Sequence, residues 1–420
     1  MTPKVEAAVA CEIRDLSLAD SGRRRIEWAF HSLPGLKSVR KQLIKTRPLE
    51  GIAVAVCIPL TAETANLLIT LRDGGALLQV CAADPDLTQD DVAACLVRDY
   101  AMPVFAVQGE SAVEAESRQV LAVDNKPQFV VDENGQLLRQ LVRKPELAER
   151  LSAALIRSGA ASGSPAEIPQ IPVIRAGESI SSRLFGDRYG TGQSLLDGII
   201  RVTGLFPAAL CVVIAGYGGR GRGLASRAKA LGASVIVSEV EPVRALEASM
   251  DGHRVMSTME AAALGDVFIT ATGSKTVLHR EHFDKMKNGA VVGNAGAAAL
   301  EIDVEGLARG SLSKRQIREH VEEYSVRDGR KIYVLCDGKP LQAHLNEPVP
   351  AAVLDVGLAC QALIVEHLIR NAATMTAGVH AVPKELDQQA ARSKLDAMGV
   401  KLDRLSADQE RFLAGLSGQS

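Results

Sequence analysis

The sequence predicts an α/β protein built as two lobes, and three observations carry that prediction. Short apolar runs alternate with helix-patterned segments in two separate stretches, about residues 50–175 and 192–347. A segment rich in Gly, Ser and Pro, 158–172, falls near the end of the first and suits a hinge or loop between lobes. The chain has 420 residues, 47% hydrophobic and 23% charged, enough to fill more than one core.

In the first stretch the runs 52–58, 76–81, 103–107, 129–132 and 171–174 have the length and composition of buried strands, and 61–72 and 88–98 have helical spacing. Thr88, three residues before Asp91, has the spacing of a helix start with an acid in its first turn. In the second stretch 211–215, 234–238, 267–270 and 290–294 are expected strands. Two further runs, 323–327 and 331–336, flank Asp328 and Gly329, a strong hairpin signal. After Pro350 one long amphipathic helix is expected to about Thr376. The last forty residues are charged and helix-prone, either a solvated tail or a segment that docks on a neighbouring subunit.

Composition excludes several classes of function. A net charge of -2 and a pI near 6.5 argue against a broad footprint for nucleic acid or anionic membrane. Aromatic residues are 3%, with one Trp, which leaves few platforms for stacking bases. No run of about 18 apolar residues is present, so no spanning helix is expected. The N-terminus carries acids early and lacks the apolar core of a signal peptide. Seven scattered cysteines without a CxxC pair suggest reduced thiols in the cytoplasm, and no metal-ligand spacing is present.

The strongest motif runs from Val212 to Gly223, where an apolar strand enters a GxGxxG turn and then a helical pattern. Gly216 permits the tight turn, Gly218 lets backbone approach a pyrophosphate, and Gly221 lets the helix pack close to the strand. Gly219, Arg220, Arg222 and Gly223 complete the loop, so phosphates would meet free N–H groups and the positive end of the helix dipole. A second strand ends in Glu239, about where a carboxylate bonds the adenosine ribose. Such a group repels a 2′-phosphate, which favours NAD over NADP, although Arg244 follows closely. These features predict a Rossmann-type NAD-binding lobe.

Beyond this turn, several segments resemble the S-adenosyl-L-homocysteine hydrolase (adenosylhomocysteinase) family. They are Glu27-Trp28, Leu33-Pro34-Gly35-Leu36, Pro48-Leu49-Glu50-Gly51 and the run Cys57 to Ala65. Tyr189-Gly190 with Ser194 to Ile199, then Gly293-Asn294-Ala295-Gly296, Glu301-Ile302-Asp303, Gly378-Val379-His380 and Pro383 to Asp387 continue the likeness. The resemblance implies a substrate lobe (1–190 plus 349–378), an inserted NAD lobe (191–348) and a C-terminal helical oligomerisation tail (379–420). It also implies a homodimer or homotetramer and a small-molecule ligand, a purine nucleoside or something like it, in the cleft. Thr61, Glu63, Asp132 and Tyr189 match positions that face that ligand, and Asn294, Gly296 and Gln342 match positions near NAD.

The sequence also departs from the family pattern. Pro59 stands where the family has His, Ser182 where it has Lys, Gly186 where it has Asp, and Ala297 where it has His. The segment from Ser158 to Gly163 lacks a family acid and most of its hydroxyls. Loss of one acid–base group typically costs about 10²–10⁴ in rate. Losing several together implies no useful release of homocysteine, although such losses do not simply add. New ionisable groups offer replacements: Asp187 and Glu347 join Asp132 as candidate acid–base carboxylates, and Arg183 is a candidate anion contact. Three functions follow as expectations. They are NAD-dependent redox chemistry on a nucleoside-like or other small polar metabolite, a binding pseudo-enzyme, and a non-redox lyase or transferase in the same cleft.

Overall fold

The computed structural model describes residues 9–157, 170–296, 299–345 and 349–417. The first lobe opens with α1 (Ala19–His31) and α2 (Pro34–Thr46). Then β1 (Ala53–Ile58), α3 (Ala62–Asp73), β2 (Leu77–Ala82), α4 (Asp90–Tyr100), β3 (Val104–Phe105), α5 (Ala112–Val123), β4 (Phe129–Asp132), α6 (Gln136–Arg143), β5 (Ala153–Ile156) and β6 (Pro172–Arg175) alternate. A π-helix, Ser182–Thr191, and α7 (Gly192–Thr203) carry the chain into the second lobe. That lobe holds β7 (Cys211–Ala215), α8 (Gly219–Ala230), β8 (Ser234–Ser238), α9 (Pro242–Met250), β9 (Arg254–Val255), α10 (Thr258–Ala261), β10 (Val267–Thr270), α11 (Arg280–Phe283), β11 (Ala290–Asn294), α12 (Val304–Gly310), β12 (Ser311–Arg318), β13 (Val321–Val326), β14 (Lys331–Leu335) and α13 (Leu341–His344). The chain then returns to the first lobe through α14 (Ala351–Asn371), β15 (Gly378–His380) and α15 (Lys384–Ala397), and ends with α16 (Ala407–Ser417).

The first sheet is parallel throughout, in the order β15-β6-β5-β4-β1-β2-β3. Strands β1, β4 and β5 are buried on both faces, which explains their continuous apolar runs. The second sheet has the order β12-β13-β14-β11-β10-β7-β8-β9 and is parallel except for the β12–β13–β14 meander. Strand order reverses between β1 and β4 in one sheet and between β7 and β10 in the other. Those are the switch points where ligands of open α/β sheets bind, outside the carboxyl ends.

Most expected elements are found, and the exceptions have physical causes. β5 is not among the expected strands, because two alanines dilute a four-residue apolar run. β12 is exposed along nearly its whole length, so its sequence carries no buried alternation. Thr88 is not the cap of α4. Its hydroxyl donates to the Asp84 carbonyl at 2.9 Å, and the cap position belongs to Gln89. The expected tail is shorter than 379–420, since β15 pairs with β6 and α15 packs on α2 and α14. Lys394 of α15 donates to the Ala352 carbonyl at 2.5 Å and pairs with the buried Asp355 at 3.2 Å. The segment Ala351–Thr374 is long and apolar enough to cross a membrane by length and composition, but it is mostly buried as the core helix of the first lobe.

Candidate functional site

At the switch point of the second sheet, β7 is followed by Gly216, whose φ of +98° lies in the left-handed region. A Cβ there would press on the Ala271 carbonyl at the end of β10. A Cβ at Gly221 would collide with the Gly216 carbonyl oxygen, so only glycine allows α8 to approach the strand this closely. Gly218 takes the cap position of α8 and supplies no side-chain acceptor. The first N–H groups of α8 are therefore left for an external anion. Space beside Gly218 is open, the nearest atom to a Cβ being Arg244 Nη1 at 4.0 Å.

Glu239 follows β8. Its carboxylate accepts from Tyr217 N at 2.6 Å, Val240 N at 2.7 Å and Glu241 N at 3.0 Å. Burial raises this carboxyl, but the three backbone donors, helped by Arg244, outweigh burial and hold it below its ordinary value. The group stays ionised with acceptor capacity to spare for ribose hydroxyls. A dinucleotide's pyrophosphate and ribose fit this cradle, with Gly216, Gly218, Gly219, Gly221 and Glu239 as its holders.

Other expected cofactor residues sit differently. Arg220 donates to the Ala295 carbonyl at 3.2 Å and to Asp187 at 3.5 Å, tying the glycine turn to the end of β11 and to the π-helix. Arg222 turns to α9, pairs with Glu247 and lies over the Tyr217 ring at 5.8 Å, so it braces the helix. A Cβ at Gly223 would strike the Arg188 carbonyl, which makes that glycine a packing point for the π-helix. Asn294 is fully buried. Its Nδ2 donates to Gly338 O at 3.0 Å and its Oδ1 accepts from Gly296 N at 2.7 Å, fixing the turn after β11. Gln342 is half-buried on α13.

At the switch point of the first sheet, Thr61 caps α3 and donates to Glu63 at 2.8 Å. Asp132 ends β4 fully buried. Strand alternation turns it toward α6, where it accepts from the N–H groups of Gln136 (3.0 Å), Leu137 (2.7 Å) and Leu138 (3.2 Å). Burial pushes its pKa up to about 6, against the opposing pull of those donors. Asp132 and Asp187 therefore have separate partners. Tyr189 is 53% exposed and stacks on Phe185, away from Asp187. Arg183 lies in the π-helix, and its side chain falls outside the described parts, as does Glu347 altogether.

The structure adds residues that the sequence did not single out. Glu133, one position past Asp132, points to the opposite face and pairs with Arg157 at 2.7 Å. Arg157 also donates to Gln361 of α14 at 2.8 Å. The period-2 alternation was the available signal, but Arg157 follows the unforeseen β5. Asp84 follows β2, and His344 of α13 is among the groups that act on it electrostatically. Burial raises Asp84 above its ordinary value, with His344 and two backbone donors pulling the other way. Among the described residues no group of three or more His, Cys, Asp or Glu is placed to hold a metal.

Comparison with known proteins settles the family. The model for the S-adenosyl-L-homocysteine hydrolase NAD binding domain matches residues 187–345, and the S-adenosyl-L-homocysteine hydrolase model matches residues 10–161. Adenosylhomocysteinase of Gloeothece citriformis is 42% identical over 416 residues, covering 96% of this chain and 95% of that one. The chain belongs to the S-adenosyl-L-homocysteine hydrolase family. Adenosylhomocysteinase of Aquifex aeolicus is 40% identical over 96% of this chain and 98% of that one. Among solved structures, a dipicolinate synthase chain from Bacillus halodurans overlays with a TM-score of 0.49 at 14% identity, over 76% of this chain and 98% of that one. The cofactor of this family member is NAD, and the second lobe carries the cradle for it.

Proposed function

We propose that this family member binds NAD in the second lobe and a nucleoside-like or other small polar metabolite in the facing cleft, and that its reaction is redox chemistry without homocysteine release. The reading rests on one observation: the sequence keeps the dinucleotide cradle but lacks acid–base residues at positions where the family resemblance implies them. Pro59, at the end of β1, carries no ionisable group, and Ser182, Gly186 and Ala297 hold the other positions where the resemblance implies Lys, Asp and His.

Hydride transfer is the chemistry that NAD supplies when bound. Thr61 and Glu63 would receive the polar edge of the metabolite at the first switch point. Glu133 is a candidate proton acceptor there, oriented by Arg157, which Gln361 holds in turn. Asp187, held by Arg220, and Glu347, known only from the sequence, are the further candidate groups. Glu239 favours NAD over NADP because its charge would repel a 2′-phosphate. Scattered free thiols suit the cytoplasm, and an exposed apolar C-terminal segment suits a homodimer or homotetramer.

Two measurements test the reading. Protein denatured after purification should release a nucleotide with the mass and absorbance of NAD or NADH. Incubation with S-adenosylhomocysteine and a thiol reagent should give no signal above the protein-free control. Steady homocysteine release would overturn the proposal and restore the hydrolase activity.

A further inference from the structure

A cavity of about 670 Å³ opens between the π-helix, α8, α14 and α15. The π-helix contributes Phe185, Arg188 and Tyr189, α8 contributes Arg227, and α14 and α15 contribute Val353 and Lys394. Among the described residues no acidic side chain lines it. Phe185 and Tyr189 stack with centroids 6.2 Å apart, and the Arg188 guanidinium lies over the Tyr189 ring at 5.8 Å. Lys394 is already committed to Asp355 and the Ala352 carbonyl. Arg188 and Arg227 have no ion-pair partner among the described residues, and Arg227 Nε is buried without an acceptor there. The cavity thus brings two guanidinium groups without ion-pair partners among the described residues beside aromatic surface, a setting that favours a carboxylate.

We propose that this cavity is a binding site for a planar aromatic carboxylate. Its ring would lie against Phe185 and Tyr189, and its carboxylate would satisfy the guanidinium groups of Arg227 and Arg188, with the forked geometry that suits two parallel hydrogen bonds. The walls come from both lobes: α8 belongs to the NAD lobe, and α14 and α15 to the substrate lobe. An occupant therefore bridges the two lobes, and its binding is coupled to the angle between them.

The test uses the full chain saturated with NAD, so that the cradle is filled. Isophthalate is the probe and neutral isophthalamide the control, each titrated by calorimetry. Isophthalate is expected to bind at least tenfold more tightly than the amide and to weaken at least tenfold in Arg227→Gln. Arg188→Gln should show a loss in the same direction. Circular dichroism and NAD affinity of each variant report whether the fold is intact. Equal binding of acid and amide, unchanged binding in a folded Arg227→Gln, displacement of isophthalate by further NAD, or no saturable binding would each overturn the site.

Discussion

Asp132 shows how a residue chosen for chemistry can be claimed by the fold. Its ordinary value is 3.8, and burial lifts it to about 6. Between about pH 4 and pH 6 the folded chain thus keeps a proton that the unfolded chain has released. That difference is worth about 3 kcal/mol. The sign is opposite to that of a salt-bridged aspartate: the stability is fully present below about pH 4 and is lost as pH rises to 6. In Asp132→Asn this limb should flatten, as read from urea midpoints of both proteins between pH 4 and 7; identical slopes would mean that this carboxyl does not titrate there. At Glu239, replacement by Ala should weaken NAD binding about 10- to 100-fold, the scale of a charged hydrogen bond. Calorimetry reads it directly, and unchanged affinity would remove its role.

At the scale of elements, two close approaches decide whether the lobes hold their shape. Gly221 lets α8 lie against the end of β7, and an added methyl would strike the Gly216 carbonyl. Gly221→Ala should therefore lose NAD affinity and melting temperature together, whereas an exposed alanine elsewhere on α8 would lose neither. Asp355, fully buried on α14, accepts from Gly35 N at 2.9 Å and Leu36 N at 2.8 Å at the start of α2, and also holds Lys394. Asp355→Ala strands two helix-terminal donors and an ammonium group. A loss of about 3–5 kcal/mol is expected in denaturant unfolding, with a smaller loss in Asp355→Asn.

At the scale of the molecule, the strands of the second sheet lie in sequence between β6 and β15, which pair in the first sheet, so the chain crosses between the sheets twice. The described residues after α15 are exposed, among them Leu402, Leu405, Phe412 and Leu413. Removing residues 400–420 should leave the melting temperature and NAD affinity of the two lobes in place. If the tail joins subunits, the shortened chain should sediment as a smaller species. The same species before and after truncation would place the contacts elsewhere.

Much of this architecture was legible in the chain itself. Strands β4, β7, β8, β10 and β11 follow the apolar runs residue for residue, and the glycine turn with Glu239 marks the cradle, because both signals are local. Local signals also fixed the family, through motifs spread along nearly the whole chain. Tertiary structure alone decided which face each side chain met. It sent Asp132 into the cap of α6 and Glu133 to Arg157, turned Arg222 onto α9, and returned α15 to the first lobe. The physical reason is that a strand's alternation is readable from sequence, whereas the partner waiting on each face comes from segments up to hundreds of residues away.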